Sequence, residues 1–130
     1  MAASPTSRTM QTLKGEGWRC GVVERFIGPT QTRKDLFGII DLIAIRPWLI
    51  TGVQCCALSG MAAHRKKLME ENADATRAWL EATGRLEIWA WRKYANKIDR
   101  KVWRPTVTSI IISPQTRELE FHVLRNGRTD

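Results

Sequence analysis

Two apolar runs, "LFGIIDLIAI" (36–45) and "LITGVQCCAL" (49–58), dominate the middle of the chain and are separated by Arg46-Pro47-Trp48. Runs of this length on either side of a turn signal predict two strands, and their nearly continuous apolar character predicts central places in a sheet covered on both faces. Upstream, "SRTMQTLKGEGW" predicts a short helix ended by Gly15 or Gly17, followed by a strand over residues 18–26. "IGPTQTRK" holds Gly28 and Pro29 and predicts a loop or hairpin connection. From Ser59 to about Thr83 the spacing turns helical: Met61/Ala62, Leu68/Met69, Ala75 and Trp79 recur every three or four residues until Gly84. "RLEIWAWRK" returns to period two, with Leu86, Ile88 and Ala90 on one face and Glu87, Trp89 and Trp91 on the other. "YANKIDRKVWRP" predicts a basic connection, and "TVTSIIIS" and "ELEFHVL" predict two strands joined across "PQTR". Residues 1–6 and 125–130 are expected to be flexible.

The resulting order is helix, three strands, helix, strand, with two additional C-terminal strands. It predicts an α/β fold with a mixed central sheet flanked by helices. At 130 residues the chain suits one domain, 1–130, with a core of its own. No apolar run is long enough to span a bilayer, and the N-terminus lacks the apolar centre of a secretory signal. The three cysteines, Cys20, Cys55 and Cys56, are an odd set without zinc-type spacing, as suits free thiols in a reducing compartment. A cytoplasmic protein without membrane attachment is the expectation. Charge then narrows the partner: 21 Lys and Arg against 13 Asp and Glu leave +8. A basic surface draws phosphate backbones by releasing their counterions, so nucleic acid is the expected partner, DNA and RNA being alike to charge alone.

Within the two apolar runs stand Asp41 and Gln54. A buried carboxylate without partners costs several kcal/mol, so Asp41 either pairs with a nearby arginine or backbone group or performs chemistry. Gln54 has a plain use as a cross-strand hydrogen-bonding residue. Together, on adjacent antiparallel strands, the two side chains supply rigidly held oxygens of the kind Mg²⁺ accepts while keeping water on its other positions.

"RKDLFGIID", ending at Asp41, together with "GVQCC" and the later "HRKK", resembles the PD-(D/E)XK nuclease superfamily over roughly residues 8–93. That superfamily has a restriction endonuclease-like or Holliday junction resolvase-like core, and the resemblance points to a small phage or bacterial branch. Its motif is an Asp in the second strand and Asp/Glu-x-Lys in the third. The resemblance implies a metal-dependent nuclease acting on DNA more than RNA, with Mg²⁺ or Mn²⁺ as cofactor. Asp41 would be the main ligand, Gln54 would replace the usual acid and the backbone carbonyl of Cys55 would add a third oxygen. Glu24 is the best candidate for a further carboxylate, with Asp35 second. Cys56 stands where the family has its lysine, and a thiol supplies no fixed positive charge. Lys67, Lys66 and Arg65, from the following helix, are candidates to reach back in its place. His64 shares a helix face with Lys67 and joins it as a candidate catalytic residue.

Each of these residues also has an ordinary reading. Glu24 beside Arg25 suits a strand-end charge pair, His64 a solvated helix position, and the run 65–67 a solvated basic face. Of the six tryptophans, Trp79 fits the buried stripe of the helix, and Trp89 and Trp91 fit a core more readily than base stacking. Trp103, between Lys101 and Arg104, is a better candidate for nucleic-acid contact, with Arg33, Lys34 and the 65–67 run. His122, between Phe121 and Val123, needs no function. A homodimer is plausible because two cuts would need two sites. Two rivals remain: a catalytically inactive nucleic-acid-binding domain on the same scaffold, and a protein-interaction domain of a phage or mobile element.

Overall fold

The computed structural model describes residues 3–95 and 101–128. Six strands form one mixed sheet in the order β1-β4-β5-β6-β7-β8, and β2 and β3 form a separate two-stranded hairpin. The strands are β1 (Arg19–Val22), β2 (Arg25–Ile27), β3 (Thr32–Lys34), β4 (Leu42–Arg46), β5 (Leu49–Ala57), β6 (Leu86–Ala95), β7 (Lys101–Ile112) and β8 (Leu119–Arg125). β4 runs antiparallel to both its neighbours, β1 and β5; β5 and β6 run parallel; and β7 runs antiparallel to both β6 and β8. The parallel step needs a crossover, which helices α2 (Met61–Lys66) and α3 (Ala73–Thr83) provide.

Helix α1 (Pro5–Gly15) covers one face and α2–α3 the other, so the core has two layers. Leu13, Leu42, Val53, Cys55, Trp89 and Trp91 fill the α1 side. Ile39, Ile40, Leu68, Leu80, Leu86, Ile88 and Ile110 fill the other. The period-two reading of β6 holds residue by residue: Leu86, Ile88 and Ala90 enter one layer, Trp89 and Trp91 the opposite one. No helix of the described residues is long and apolar enough to cross a membrane.

Several elements depart from the expectation, each for a local reason. α1 starts at Pro5, not after residue 6, because Ser4 caps it by accepting the Ser7 N–H at 3.1 Å and Pro5 fits the first turn. The strand expected over 18–26 breaks at Val23 and Glu24, whose N–H groups both donate to the Asp41 carbonyl, at 2.9 and 3.1 Å. Residues 36–40 are no strand but a tight loop, with Phe37 and Gly38 at φ +56° and +75°. The single helix expected over 59–83 is interrupted: a π-helical turn spans Lys67–Glu71, and α3 restarts after Asn72. Asn72 donates its side-chain N–H to the Gly38 carbonyl at 2.9 Å, pinning the helix break to that loop.

The basic connection expected over 94–105 is largely a continuation of β6 and β7, paired as far as Ala95 and Lys101, and residues 96–100 lie outside the described residues. At the C-terminus, Arg125 ends β8 in a two-pronged ion pair with Glu16 at 2.6 and 2.7 Å, and Gly127 is buried. Residues 125–128 are thus part of the fold and not the flexible tail expected there, and residues 129–130 lie outside the described residues.

Candidate metal and phosphate centre

The end of the sheet where β5 leaves and β4 begins collects the acids. Asp41 immediately precedes β4, and its N–H donates to Val53 at 2.9 Å, which sets it opposite Gln54. Its own carbonyl turns the chain at Val23–Glu24 and so brings Glu24 to the cluster. The Phe37–Gly38 loop returns the chain so that Asp35 reaches the same place. Ligand oxygens of Glu24, Asp35 and Asp41 all lie within 4.8 Å of one another.

Gln54 Nε2 donates to Asp41 Oδ2 at 2.7 Å and to Asp35 Oδ2 at 3.1 Å, and the Cys55 N–H donates to Asp41 Oδ2 at 2.8 Å. Gln54 Oε1, in a residue only 1% exposed, has no partner. The amide thus turns its nitrogen toward the acids, whereas the sequence reading expected its oxygen there. Two neighbouring carboxylates require donors, and the nitrogen end supplies them. In an extended strand a residue's N–H and C=O leave on the same edge, so the Cys55 carbonyl shares the edge at which Asp41 sits.

Positive charge comes from the helix side. Lys67 Nζ lies 2.7 Å from Asp35 Oδ2, at the first residue of the π-helical turn. Burial, then the hydrogen bond with Asp35, pushes the Asp41 carboxyl up to about 8, although the Cys55 N–H and Gln54 act the other way. Burial alone would raise Asp35 too, but hydrogen bonds from Asp41, Lys67 and Gln54 and the charge of Lys67 outweigh it and hold Asp35 below the usual range. One proton is therefore shared unequally, resting on Asp41. Burial pushes the Cys55 and Cys56 thiols up to about 12, so both stay neutral.

His64 is half-buried with Nδ1 unpartnered; burial and then the Lys67 charge lower its pKa, while Asp35 opposes them. It stays near the cluster as an uncharged ring. Lys66 and Arg65 face elsewhere: both line a cleft with Met69, Glu70 and Glu118, and Arg65 stacks over Phe121 at 4.1 Å. Residues 64–67 are consecutive and so distribute around the helix, which is why the four cannot act as one stripe. Glu24 pairs with Arg33 at 2.9 Å rather than with its neighbour Arg25. Lys34 is exposed on β3, and Lys101, Trp103 and Arg104 lie on β7, away from the acids.

A cleft of about 520 Å³ opens onto the cluster, lined by Glu24, Arg33, Asp41 and Cys55 and by Ser4, Thr6 and Ser7 from the start of α1. Ser4 and Thr6 belong to residues 1–6, a segment expected to be flexible, yet α1 begins at Pro5. The Ser4-Pro5 pair, a cap residue followed by a first-turn proline, is the signal that marks it. The chain matches no family model, no curated protein and no solved structure.

Proposed function

We propose that the protein is a metal-dependent nuclease of the PD-(D/E)XK type, hydrolysing phosphodiester bonds in DNA rather than RNA. The observation that carries this reading is the convergence of Glu24, Asp35 and Asp41 within 4.8 Å, with the Lys67 ammonium 2.7 Å from one of them. The element order supports it: a helix, three strands of one sheet, a helical crossover and a further strand of that sheet follow the order that the sequence resemblance implies for a restriction endonuclease-like core.

The donor set suits a hard divalent cation, since three carboxylates and a strand carbonyl offer oxygen only. Gln54 fits as well, because turning over its amide would bring the unpartnered Oε1 to the acids. Asp41, Asp35, Glu24 and the Cys55 carbonyl would hold Mg²⁺ or Mn²⁺, with Gln54 beside them. When bound, the ion supplies charge stabilisation at the scissile phosphate and a more acidic water for the attack.

The protein's own groups do the rest. Lys67 brings the positive charge that Cys56 lacks, and its N–H groups beyond the one given to Asp35 can meet a phosphate oxygen as charge develops there. His64, kept neutral, can accept a proton from a water or orient it. The positive end of α1 offsets the negative charge of the acids across the cleft. Arg33, Lys34, Arg65, Lys66, Lys101 and Arg104 spread positive charge over the surface for the nucleic-acid backbone. A homodimer would supply the second site for a second cut.

Mn²⁺ titration followed by electron paramagnetic resonance tests the centre without requiring turnover. Wild type is expected to take up Mn²⁺, and Asp41→Ala and Asp35→Ala to lose it. Equal uptake by all three would sink the assignment. An inactive binding scaffold, the second reading, is favoured by the nitrogen that Gln54 turns toward the acids; it predicts salt-sensitive DNA binding that Mg²⁺ leaves unchanged.

A further inference from the structure

On the α1 face of the sheet, the end of β5 and the paired arm of β6 and β7 enclose a second cleft of about 400 Å³. Its walls are Ala57, Leu58, Trp91 and Trp103, with Arg92 and Lys93 at the rim. The volume falls in the range of small-ligand pockets, roughly 300–1,000 Å³. Trp91 is buried and fixed, its indole N–H donating to Thr9 Oγ1 at 2.8 Å, so one wall is a rigid ring. Trp103 is 41% exposed and belongs to neither core layer. The Arg8 guanidinium lies 3.9 Å from its ring centroid and the Lys93 ammonium 5.6 Å. The Trp103 ring thus carries two cations, Lys93 lining the cleft and Arg8 stacked on the ring.

We infer that this cleft takes the base of an unpaired nucleotide, with Trp103 as the stacking surface and Arg8 and Lys93 meeting its phosphate. Aromatic rings flanked by cations are how proteins grip single strands, because each base offers a π face and each nucleotide a negative charge. An apolar peptide would fill the walls but leave Arg8 and Lys93 without anionic partners. Across the sheet Asp41 faces the Thr108 position of β7, and Trp103 lies five residues further along that strand, so the two are about 14 Å apart sideways and about 17 Å lengthwise, roughly 22 Å in all, a span that an extended strand of several nucleotides covers. Resting on the nuclease reading, the inference names its substrate class: DNA with a single-stranded segment next to the cut, such as a flap or splayed end.

The test is binding of a fluorescent eight-nucleotide oligothymidylate and of a blunt duplex, by anisotropy, in chelator and without turnover. Trp103→Ala is expected to weaken oligothymidylate binding about fivefold or more, in line with base-stacking losses, while leaving the blunt duplex unchanged and Trp103→Phe near wild type. Photo-crosslinking of a 5-iodouracil oligonucleotide to wild type is expected to map to the peptide containing Trp103, and does not depend on any variant folding. Undiminished binding by Trp103→Ala, an equal loss for both ligands, or crosslinks mapping only elsewhere would overturn the inference. Because chelator is present throughout, failure here leaves the metal centre standing, and failure of the metal centre leaves this result readable.

Discussion

At the scale of single residues, Asp41 explains both a cost and a use. It is buried and its carboxyl is pushed up to about 8, so the folded protein retains a proton that the unfolded chain releases near pH 4. The sign follows: this contribution to stability is complete below about pH 4 and is lost as pH rises through about 8. Asp35, held low, acts in the opposite window and loses its contribution as pH falls below the usual carboxylate range. Asp41→Asn keeps an oxygen for Gln54 and Cys55 and a permanent N–H for Asp35, imitating the protonated acid. Metal-free wild type should therefore melt several degrees below Asp41→Asn at pH 8 and close to it at pH 4, as circular dichroism melts at the two pH values would register. A gap that is the same at both would mean that Asp41 is not the group holding the proton. Of the candidate cluster, the burial of Asp41 was legible from a carboxylate inside an apolar run, and Lys67 stands in the helix from which a basic residue was expected to reach back. The central place of Asp35 was not, because it depends on a left-handed turn at Phe37 and Gly38 that brings it back over the sheet. The orientation of the Gln54 amide was equally hidden, being decided by which neighbours need donors.

At the scale of elements, the central strands were legible because apolar runs bounded by turn signals leave a direct trace, whereas the breaks were not. The Asp41 carbonyl splits the first predicted strand by drawing in two N–H groups, a tertiary contact with no mark in local composition. The π-helical turn at Lys67 is likewise a tertiary event, tied down by Asn72 on Gly38 and by Thr76, whose hydroxyl donates to the Leu68 carbonyl at 2.6 Å. Such turns recur at functional sites, and here one presents the lysine. Beneath this arrangement Gly52 lets the α3 side close on the sheet: an added Cβ would stand 2.8 Å from Trp79 Nε1 and 2.9 Å from Ile40 Cδ1. Trp79 is held by its hydrogen bond to Arg85 and Ile40 adjoins Asp41, so neither moves freely. Gly52→Ala is accordingly expected to cost about 1–3 kcal/mol in urea denaturation, as overpacking of a close contact does. A neutral result would show that the packing under the acid cluster yields.

At the scale of the whole molecule, one end of the sheet carries both clefts on the α1 face, acids toward β4 and tryptophans toward β7, with the first turn of α1 lining the acidic one. A chain carrying +8 gathers three of its 13 acids, Glu24, Asp35 and Asp41, in one recess, a local reversal of its overall charge. The most direct test of this account is cleavage of a panel of labelled DNA (linear duplex, single-stranded, flapped and four-way) with Mg²⁺ or Mn²⁺ and with chelator, comparing wild type, Asp41→Ala and Lys67→Met. The account predicts metal-dependent cutting by wild type that falls at least about 100-fold in each variant, as loss of one charge-stabilising group at a reaction centre does. Cutting that persists in Asp41→Ala, or no cutting of any substrate by wild type with either metal, would contradict it.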